Sequence, residues 1–150
     1  MIKKVGVAIL GVGVVGGGTY QTLVDHHDFY LRTQGADITV EMVLDKSIER
    51  MDALQIPEEC RAKSIEEVLA NPAVDIVIET IGGIGIAKEF VLAALRDGKT
   101  VVTSNKELVA KHGAELLALA RENNCSYLFE ASVGGGIPII RPISQCLAAN

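Results

Sequence analysis

The sequence has 150 residues, 49% of them apolar, and a formal net charge of −5. This length suits one domain with its own hydrophobic core, and no apolar run approaches the roughly 20 residues that a membrane-spanning helix needs. The acidic balance and the scattered Lys and Arg residues argue against nucleic acid or an anionic membrane as a partner.

The elements predicted along the chain alternate between strand and helix. Short runs rich in Val, Ile and Leu predict buried strands, and longer segments with apolar residues three and four apart predict helices. In chain order the pattern predicts a strand over 5–10, a helix over 14–31, a strand over 38–44, short helices over 47–54 and 64–70, a strand over 74–79, a helix over 87–96, a strand over 100–103, a helix over 107–124 and a strand over 126–131. This order indicates the α/β class: a Rossmann-like, doubly wound, mostly parallel sheet with helices on both faces.

The pattern changes at two positions in the last third of the chain, Gly113 and Pro138. Gly113 interrupts the long helical pattern, which predicts a kink or a junction between two helices. Pro138 suits the first turn of a last helix, and that helix reaches Asn150 without a stop signal. We therefore expect the chain to be interrupted there.

A glycine-rich turn between the first strand and the first helix, the glycine loop, has the spacing of a dinucleotide-binding site. Its residues are Gly11, Val12, Gly13, Val14, Val15 and Gly16. Gly11 permits the tight turn, Gly13 lets the backbone approach a pyrophosphate, and Gly16 allows the helix to pack closely on the strand. Unpaired N–H groups at the helix N-terminus would bind the anion. The position of the loop favours dinucleotide binding over a tight turn without a ligand.

Asp45 follows the second predicted strand, where an acidic residue typically binds the adenosine ribose of a dinucleotide. It lies later than the usual roughly 20 residues after the glycines, because the first helix and its loop are long. As a ribose ligand Asp45 favours NAD, since its charge would repel a 2′-phosphate. Lys46 would instead attract that phosphate, so the choice between NAD and NADP stays open. The alternative is that Asp45 is a solvated turn residue.

A second polar cluster, Ser104-Asn105-Lys106, follows the predicted strand over 100–103. Ligands of open α/β sheets bind beyond the carboxyl ends of the strands, so these side chains are expected to face the cofactor. Lys106 lies at the start of a helix, where a lysine is unfavourable, and this favours a role in stabilising negative charge on a substrate oxygen. Ser104 and Asn105 also suit helix caps. Thr80, at the end of another strand, is a candidate wall for the nicotinamide.

The segment from Glu130 to Ile140 contains three adjacent glycines, whose ordering costs backbone entropy. They indicate a conformation that other residues do not adopt, either at a hinge between domains or close to a ligand. The carbonyl oxygens of this loop, together with Glu130, would also suit a hard monovalent cation.

The remaining candidate residues carry weaker signals. His26 and His27 lie in a polar helix end and favour a solvated face over a metal site, and His112 has no ligand at metal spacing. The three cysteines are widely spaced, which predicts reduced thiols in a cytoplasmic protein. The first lysines and the apolar run after them also suit a signal peptide, but glycines interrupt that run, so a buried strand is favoured.

Four segments together resemble homoserine dehydrogenase across essentially the whole chain. They are VAILGVGVVG, VIETIGG, GKTVVTSNKELVA and FEASVGGGIPIIRPI. The glycine loop alone fits many dehydrogenases, whereas a T-x-N-K-like turn combined with EASVGGGIPII is far narrower and shows no departure from the family pattern. The resemblance implies reversible hydride transfer between NAD(P)H and L-aspartate 4-semialdehyde, which gives L-homoserine for threonine, methionine and isoleucine synthesis.

The resemblance also implies roles for matching residues. The positions that match cofactor ligands are Val12, Val14 and Val15, through their backbone at the phosphates, and Thr80, Ser104 and Lys106 at the nicotinamide. Lys106 is also expected near the reacting centre. The positions that match ligands of a sodium ion, mostly through backbone oxygens, are Glu130, Val133, Gly135 and Ile137.

The family layout predicts a dinucleotide-binding domain over 1–136 and the start of a truncated catalytic domain over 137–150. The family's substrate-binding and proton-transferring residues lie in that later domain. This chain alone is therefore expected to bind nucleotide with little or no turnover, and the complete enzyme to be a cytoplasmic homo-oligomer. Two alternatives are another two-domain NAD(P)-dependent dehydrogenase, against which the segment 130–140 argues, and a nucleotide-sensing module without chemistry, against which the unfinished last helix argues.

Overall fold

The structure, a computed structural model, describes residues 2–146. Its strands are β1 (Lys3–Leu10), β2 (Ala36–Leu44), β3 (Val74–Glu79), β4 (Thr100–Thr103) and β5 (Tyr127–Leu128). Its α-helices are α1 (Val14–Asp25), α2 (His27–Gln34), α3 (Ile48–Ala53), α4 (Ile65–Ala70), α5 (Gly85–Arg96) and α6 (Lys106–Glu122). Short 3-10 turns occur at Glu58–Cys60 and Glu130–Ser132, and a π-helical turn at Pro142–Cys146.

The strands belong to a five-stranded sheet, and the pairings within each part of it are parallel. This confirms the predicted α/β, Rossmann-like class. The chain divides into two compact units, the first ending at Ile81 and the second beginning at Gly82. Among the helices of residues 2–146, none combines the length and the apolar character that crossing a membrane requires.

In the first unit the three strands lie in the order β2-β1-β3, so that β1 is central. From Val7 to Leu10 each residue of β1 is at most 2% exposed. A parallel strand covered on both faces carries apolar side chains on both, which is why its sequence reads as an unbroken apolar run. The core cluster around it also contains Tyr20, Val43 and Met51.

The carboxyl ends of these three strands meet at one edge of the sheet. Leu10 pairs with Leu44 on one side and with Glu79 on the other. The hydrogen bonds continue one residue further, because the N–H of Gly11 donates to the carbonyl oxygen of Leu44 (2.8 Å) and that of Thr80 to the carbonyl oxygen of Leu10 (2.9 Å). The residues that follow each strand are therefore brought together, at the edge where open parallel sheets bind ligands.

In the second unit β4 pairs in parallel with β5, and α5 packs against α6. The two helices bury the apolar residues that recur every three or four positions. Among the fully buried ones are Val91, Leu95, Leu108 and Leu116. Burying each such side chain stabilises the fold by about 1.5–3 kcal/mol, so this helix pair supplies much of the core of the unit.

The helix predicted over 14–31 is in fact two helices. α1 ends at Asp25 and α2 begins at His27, with His26 between them in a non-helical conformation (φ −108°, ψ 18°). No Gly or Pro marks this break in the sequence, so apolar periodicity did not reveal it. The break allows the ring of His27 to approach Asp37 of β2, a contact that no local pattern encodes.

The junction predicted at Gly113 is also wrong, because α6 continues through it. Gly113 is buried, and a Cβ built there would lie 3.6 Å from Val109 Cγ1, an ordinary contact distance. Nothing at this position forces the helix to end. A glycine inside a helix costs about 0.5–1 kcal/mol relative to alanine, which tertiary packing outweighs here.

The last predicted strand and helix differ from the structure as well. The strand predicted over 126–131 is reduced to Tyr127–Leu128, because Glu130–Ser132 forms a 3-10 turn. Pro138 lies before the helical turn Pro142–Cys146 and not at its start. The predicted continuation to Asn150 falls on residues outside the described part of the chain.

His27 forms a pH-sensitive contact between α2 and β2. Its Nε2 atom lies 2.7 Å from Asp37 Oδ1, and its Nδ1 atom lies 3.5 Å from Asp28 Oδ1. The hydrogen bond to Asp37 raises the pKa of His27 above its usual 6.5, and Asp28 adds to this effect. Because the folded-state pKa is raised, the contact contributes its full stability below the unfolded-state pKa. The contribution is lost as the pH rises through the folded-state pKa.

We therefore expect Asp37→Asn to lower the melting temperature more at about pH 6 than at about pH 8.5, since the protonated imidazole gains most from the Asp37 charge. Thermal unfolding of wild type and variant at both pH values measures the difference. Asp28→Asn is the control: Asp28 is 89% exposed and lies further from the ring, so its substitution should have a smaller pH-dependent effect. Equal losses at the two pH values would show that His27 does not titrate through this contact.

Candidate functional site

The glycine loop between β1 and α1 has the backbone geometry of a phosphate-binding turn. Gly11 has a φ of +88°, a left-handed conformation that residues with a Cβ rarely adopt. A Cβ built on Gly16 would lie 1.8 Å from the carbonyl oxygen of Gly11 and 2.5 Å from Thr80 Oγ1, so Gly16 has no space for a side chain. Beside Gly13, by contrast, the nearest atom to a built Cβ is Arg50 Nη1 at 4.0 Å. A ligand can therefore approach the backbone of the loop there.

The N-terminus of α1 is open to an anion. Gly13 is the N-cap residue, no side chain caps the helix, and no acidic residue lies in its first turn. Val14 is 96% exposed and Val15 is 55% exposed, so neither is covered by the rest of the protein. The first N–H groups of this 12-residue helix and the positive end of its dipole are therefore accessible to a phosphate group.

The Asp45 carboxylate connects the end of β2 to the glycine loop. Its Oδ2 atom accepts a hydrogen bond from the N–H of Val12 (2.6 Å), and its Oδ1 atom accepts one from the N–H of Ser47 (2.7 Å). Each carboxylate oxygen can accept a further hydrogen bond. Asp45 thus lies beside the loop and holds it in place, with acceptor capacity left for a ribose hydroxyl.

Arg50 is a charged neighbour of the loop that the sequence pattern did not single out. It lies in α3, where the hydroxyl of the N-cap residue Ser47 accepts a hydrogen bond from its N–H (3.3 Å). Its guanidinium group is close to Gly13, as described above. Arg50 and Gly13 are far apart in the chain, and no local spacing could have indicated that they lie close together. The exposed Lys46, a second positive charge, directly follows Asp45 in the chain.

The Thr80 hydroxyl is engaged with the glycine loop. Its Oγ1 atom lies 2.6 Å from the carbonyl oxygen of Gly11 and 3.1 Å from that of Leu10. The preceding residue, Glu79, is fully buried, and its Oε1 atom accepts a hydrogen bond from the N–H of Ile81 (2.9 Å). Both side chains fix the backbone at the end of β3. The nicotinamide contact expected of Thr80 stays a prediction.

In the second unit, Ser104, Asn105 and Lys106 lie where β4 ends and α6 begins. Asn105 is the N-cap residue of α6, and its Oδ1 atom accepts a hydrogen bond from the N–H of Leu108 (3.1 Å). Lys106 is the first residue of α6 and is exposed. Within residues 2–146 no carboxylate pairs with its ammonium group, which is therefore available to a ligand.

The Glu130 carboxylate binds three backbone N–H groups. Its Oε1 atom accepts hydrogen bonds from Ile139 (2.5 Å) and Ile140 (2.9 Å), and its Oε2 atom accepts one from Arg141 (2.8 Å). Desolvation acts to raise the pKa of Glu130, but these hydrogen bonds and the Arg141 charge outweigh it and lower the pKa. The carboxylate therefore organises the backbone of 139–141, a role that the sequence pattern missed.

The loop after Glu130 is the segment for which the sequence predicts a backbone cation site. Gly134 and Gly135 have φ values of +71° and +63°, which explains why glycines occur there. Among the hydrogen bonds of residues 2–146, none is accepted by the carbonyl oxygens of Val133, Gly135 or Ile137. These oxygens suit a hard cation, whereas both oxygens of the Glu130 carboxylate already accept backbone hydrogen bonds. The sodium ion stays a prediction.

The remaining histidines and cysteines of the described residues lie outside the candidate site. In the described part of the chain, no group of three His, Cys, Asp or Glu residues is placed to hold a metal ion. Burial raises the pKa of the Cys60 and Cys125 thiols, which keeps them protonated at neutral pH and lowers their reactivity. His112 contacts Glu115 on the surface of α6 (3.2 Å).

Several proteins similar to this chain are homoserine dehydrogenases. The family model for the homoserine dehydrogenase NAD-binding domain matches residues 11–130. The homoserine dehydrogenase of Bacillus subtilis is 42% identical over 149 residues, which cover 99% of this chain and 34% of that protein. The structure of the homoserine dehydrogenase from Thiobacillus denitrificans matches with a TM-score of 0.89 and 39% identity, over 99% of this chain and 34% of its own. The structure of a hyperthermophilic archaeal homoserine dehydrogenase in complex with NADPH matches with a TM-score of 0.75 and 27% identity. The match covers 93% of this chain and 48% of that chain.

Proposed function

The chain belongs to the homoserine dehydrogenase NAD-binding domain family. We propose that it is the cofactor-binding part of an enzyme that interconverts L-homoserine and L-aspartate 4-semialdehyde. The chain spans about one third of the length of the Bacillus subtilis relative, so the complete reaction needs residues beyond it. The observation that carries the proposal is the glycine loop, where Gly16 excludes a Cβ and Gly13 leaves the backbone open to a ligand.

In this proposal the first unit binds the adenosine and pyrophosphate parts of NAD or NADP. Backbone groups of Val12, Val14 and Val15 lie along the phosphates, and the open N-terminus of α1 supports this role. Asp45 binds the adenosine ribose with the acceptor capacity that its two backbone hydrogen bonds leave. The glycines that shape the loop are Gly11, Gly13 and Gly16.

When bound, NAD(P)H would supply the hydride that reduces the aldehyde carbon of the substrate. Ser104 and Thr80 line the nicotinamide, and the ammonium group of Lys106 stabilises the negative charge that develops on the carbonyl oxygen. The lack of a carboxylate partner for Lys106 among residues 2–146 supports this role. The proton that completes the hydroxyl comes from a group outside this chain.

The remaining parts of the proposal concern the domain bounds, a bound sodium ion and the complete enzyme. Residues 1–136 form the dinucleotide-binding domain, and residues 137–150 begin the catalytic domain. Backbone oxygens in the glycine-rich segment bind a sodium ion. The residues assigned to it are Glu130, Val133, Gly135 and Ile137. The complete enzyme is a cytoplasmic homo-oligomer that acts on a small-molecule substrate.

Calorimetric titration of the chain with NAD and with NADP tests the proposal. We expect saturable binding of a dinucleotide at one site, weakened at higher ionic strength because phosphate contacts are screened. Tighter binding of NAD would support the ribose role of Asp45, and tighter binding of NADP would assign the adenosine end to Lys46. Repeating the titration in sodium and in potassium chloride tests the cation site. Binding of neither dinucleotide would contradict the assignment of the glycine loop.

A further inference from the structure

Asn105 makes contacts that helix capping alone does not require. Its side chain is buried, with 6% of the residue exposed. The Oδ1 atom caps α6, and the Nδ2 atom donates a hydrogen bond to the carbonyl oxygen of Gly83 (2.6 Å). Its own N–H donates to Thr103 Oγ1 (3.0 Å). One side chain therefore joins α6 to the backbone at Gly83, 22 positions earlier.

The choice of asparagine is informative because an acceptor is enough to cap a helix. Serine and aspartate cap helices as well as asparagine does, and this chain uses Ser47 and Ser64 at α3 and α4. Aspartate matches the length of asparagine but lacks the N–H₂ group. Only the amide reaches Gly83 as a donor while it caps α6.

The backbone that receives this hydrogen bond is a turn of two glycines in left-handed conformations. Gly82 and Gly83, here called the Gly82–Gly83 turn, have φ values of +80° and +68°. A Cβ built on either glycine would meet nothing within 4 Å, so neighbouring atoms do not enclose the turn. Glycines also have the largest conformational freedom to lose on ordering. A short hydrogen bond from a buried amide to Gly83 restrains the backbone of this turn.

We propose that Asn105 is a positioning residue that fixes Lys106 relative to the Gly82–Gly83 turn and so shapes the nicotinamide end of the nucleotide site. The inference rests on the proposed function, because it uses the assignment of Ser104 and Lys106 to the nicotinamide. In this proposal Asn105 acts without contacting the cofactor. It acts through the start of α6, where Lys106 is the next residue, and through the backbone at Gly83.

Asn105→Asp separates this role from capping. The carboxylate can still accept the hydrogen bond from Leu108, and its charge is favourable at a helix N-terminus, so α6 should remain folded. The donor to the Gly83 carbonyl oxygen is lost. Ser64→Ala, which removes the hydroxyl that caps α4 (3.4 Å to the N–H of Glu67), is the matched control for a lost capping interaction in the other unit.

The measurement compares the dissociation constants of NAD and of ADP-ribose, which lacks the nicotinamide. For Asn105→Asp we expect the NAD affinity to fall about 3- to 10-fold, the range for one lost hydrogen bond, and the ADP-ribose affinity to stay within about twofold. Amide hydrogen exchange should become faster over 82–86 in this variant. Ser64→Ala should leave both affinities and this exchange unchanged.

The outcomes separate the role of Asn105 from the proposed function. Equal losses of NAD and ADP-ribose affinity would indicate a general structural defect and overturn the positioning role. Unchanged affinities of Asn105→Asp for both NAD and ADP-ribose, with wild-type protein that binds both ligands, would overturn the positioning role and leave the proposed function standing. Wild-type protein that binds neither ligand would overturn the proposed function and the positioning role with it.

Discussion

Gly16→Ala is expected to abolish measurable dinucleotide binding. The new methyl group would lie 1.8 Å from the carbonyl oxygen of Gly11 and 2.5 Å from Thr80 Oγ1, much closer than real Cβ contacts. Backbone, and not a flexible side chain, is the nearest obstacle, so the loop or the first turn of α1 must move. A shift that removes two hydrogen bonds to the pyrophosphate would weaken binding by about 100-fold or more. Calorimetry with NAD and NADP measures this loss.

Gly18→Ala is the matched control for this substitution. Gly18 lies two residues further along α1, and a Cβ built there would meet nothing within 4 Å. Alanine in place of glycine inside a helix stabilises it by about 0.5–1 kcal/mol, so this variant should bind nucleotide normally and unfold at a slightly higher temperature. Normal binding by Gly16→Ala would show that α1 does not pack on the loop as the structure has it.

Gly16→Ala should also lower the stability of the protein, which can be measured without a ligand. Overpacking of this kind typically destabilises a protein by about 1–3 kcal/mol. Gly16→Ala should therefore unfold at lower denaturant concentration than wild type, whereas Gly18→Ala should unfold at the same or a higher one. Because the two variants differ only in position, their comparison separates the effect of the methyl group from that of helix propensity.

Two of the buried strands and two of the short helices were predictable because local sequence determines them. β3 and β4 have the predicted bounds, 74–79 and 100–103, since short segments rich in β-branched residues favour strands. The short helices predicted over 47–54 and 64–70 are also present, and Ser47 and Ser64 cap them. In both cases the signal lies within a few residues of the element it describes.

Features that depend on distant partners were not predictable in the same way. The Thr80 hydroxyl contacts Gly11 across 69 positions, and the Asn105 amide reaches Gly83 across 22. The break at His26 depends on no local signal either, although it permits a contact with Asp37. Sequence spacing identifies which residues follow a strand, whereas the fold decides whether a polar side chain faces a ligand or another part of the backbone.

The candidate site shows this difference within single residues. Asp45 and Thr80 were predicted as cofactor contacts because they follow strands, and the structure places both beside the glycine loop. Each also has a structural task, since each holds loop backbone through a hydrogen bond of 2.6 Å. Substitution of either residue is therefore expected to disturb the loop as well as any direct contact, and neither gives as clean a test of function as an exposed residue does.

Lys106→Ala is the cleaner test, and we expect it to reduce turnover by about 100-fold or more, the effect of removing one group that stabilises developing charge. The assay needs a polypeptide of the relatives' full length, because the chain spans about one third of the Bacillus subtilis enzyme. The affinity for the dinucleotide should change only a few-fold. Lys106 is exposed and at the start of α6, so its truncation should leave the fold intact.

Lys111→Ala is the control for charge and helix propensity. Lys111 is another exposed lysine of α6, five positions further on, and its ammonium group pairs with Glu107 (2.9 Å). Its removal should leave turnover unchanged, since an exposed ion pair contributes little to stability.

Removal of Lys106 should also stabilise the start of α6 slightly, because a cation is unfavourable at a helix N-terminus. A Lys106→Ala enzyme with unchanged turnover would remove this lysine from the mechanism, whereas lost turnover in a protein of equal or higher stability would mean that the unfavourable placement serves the reaction.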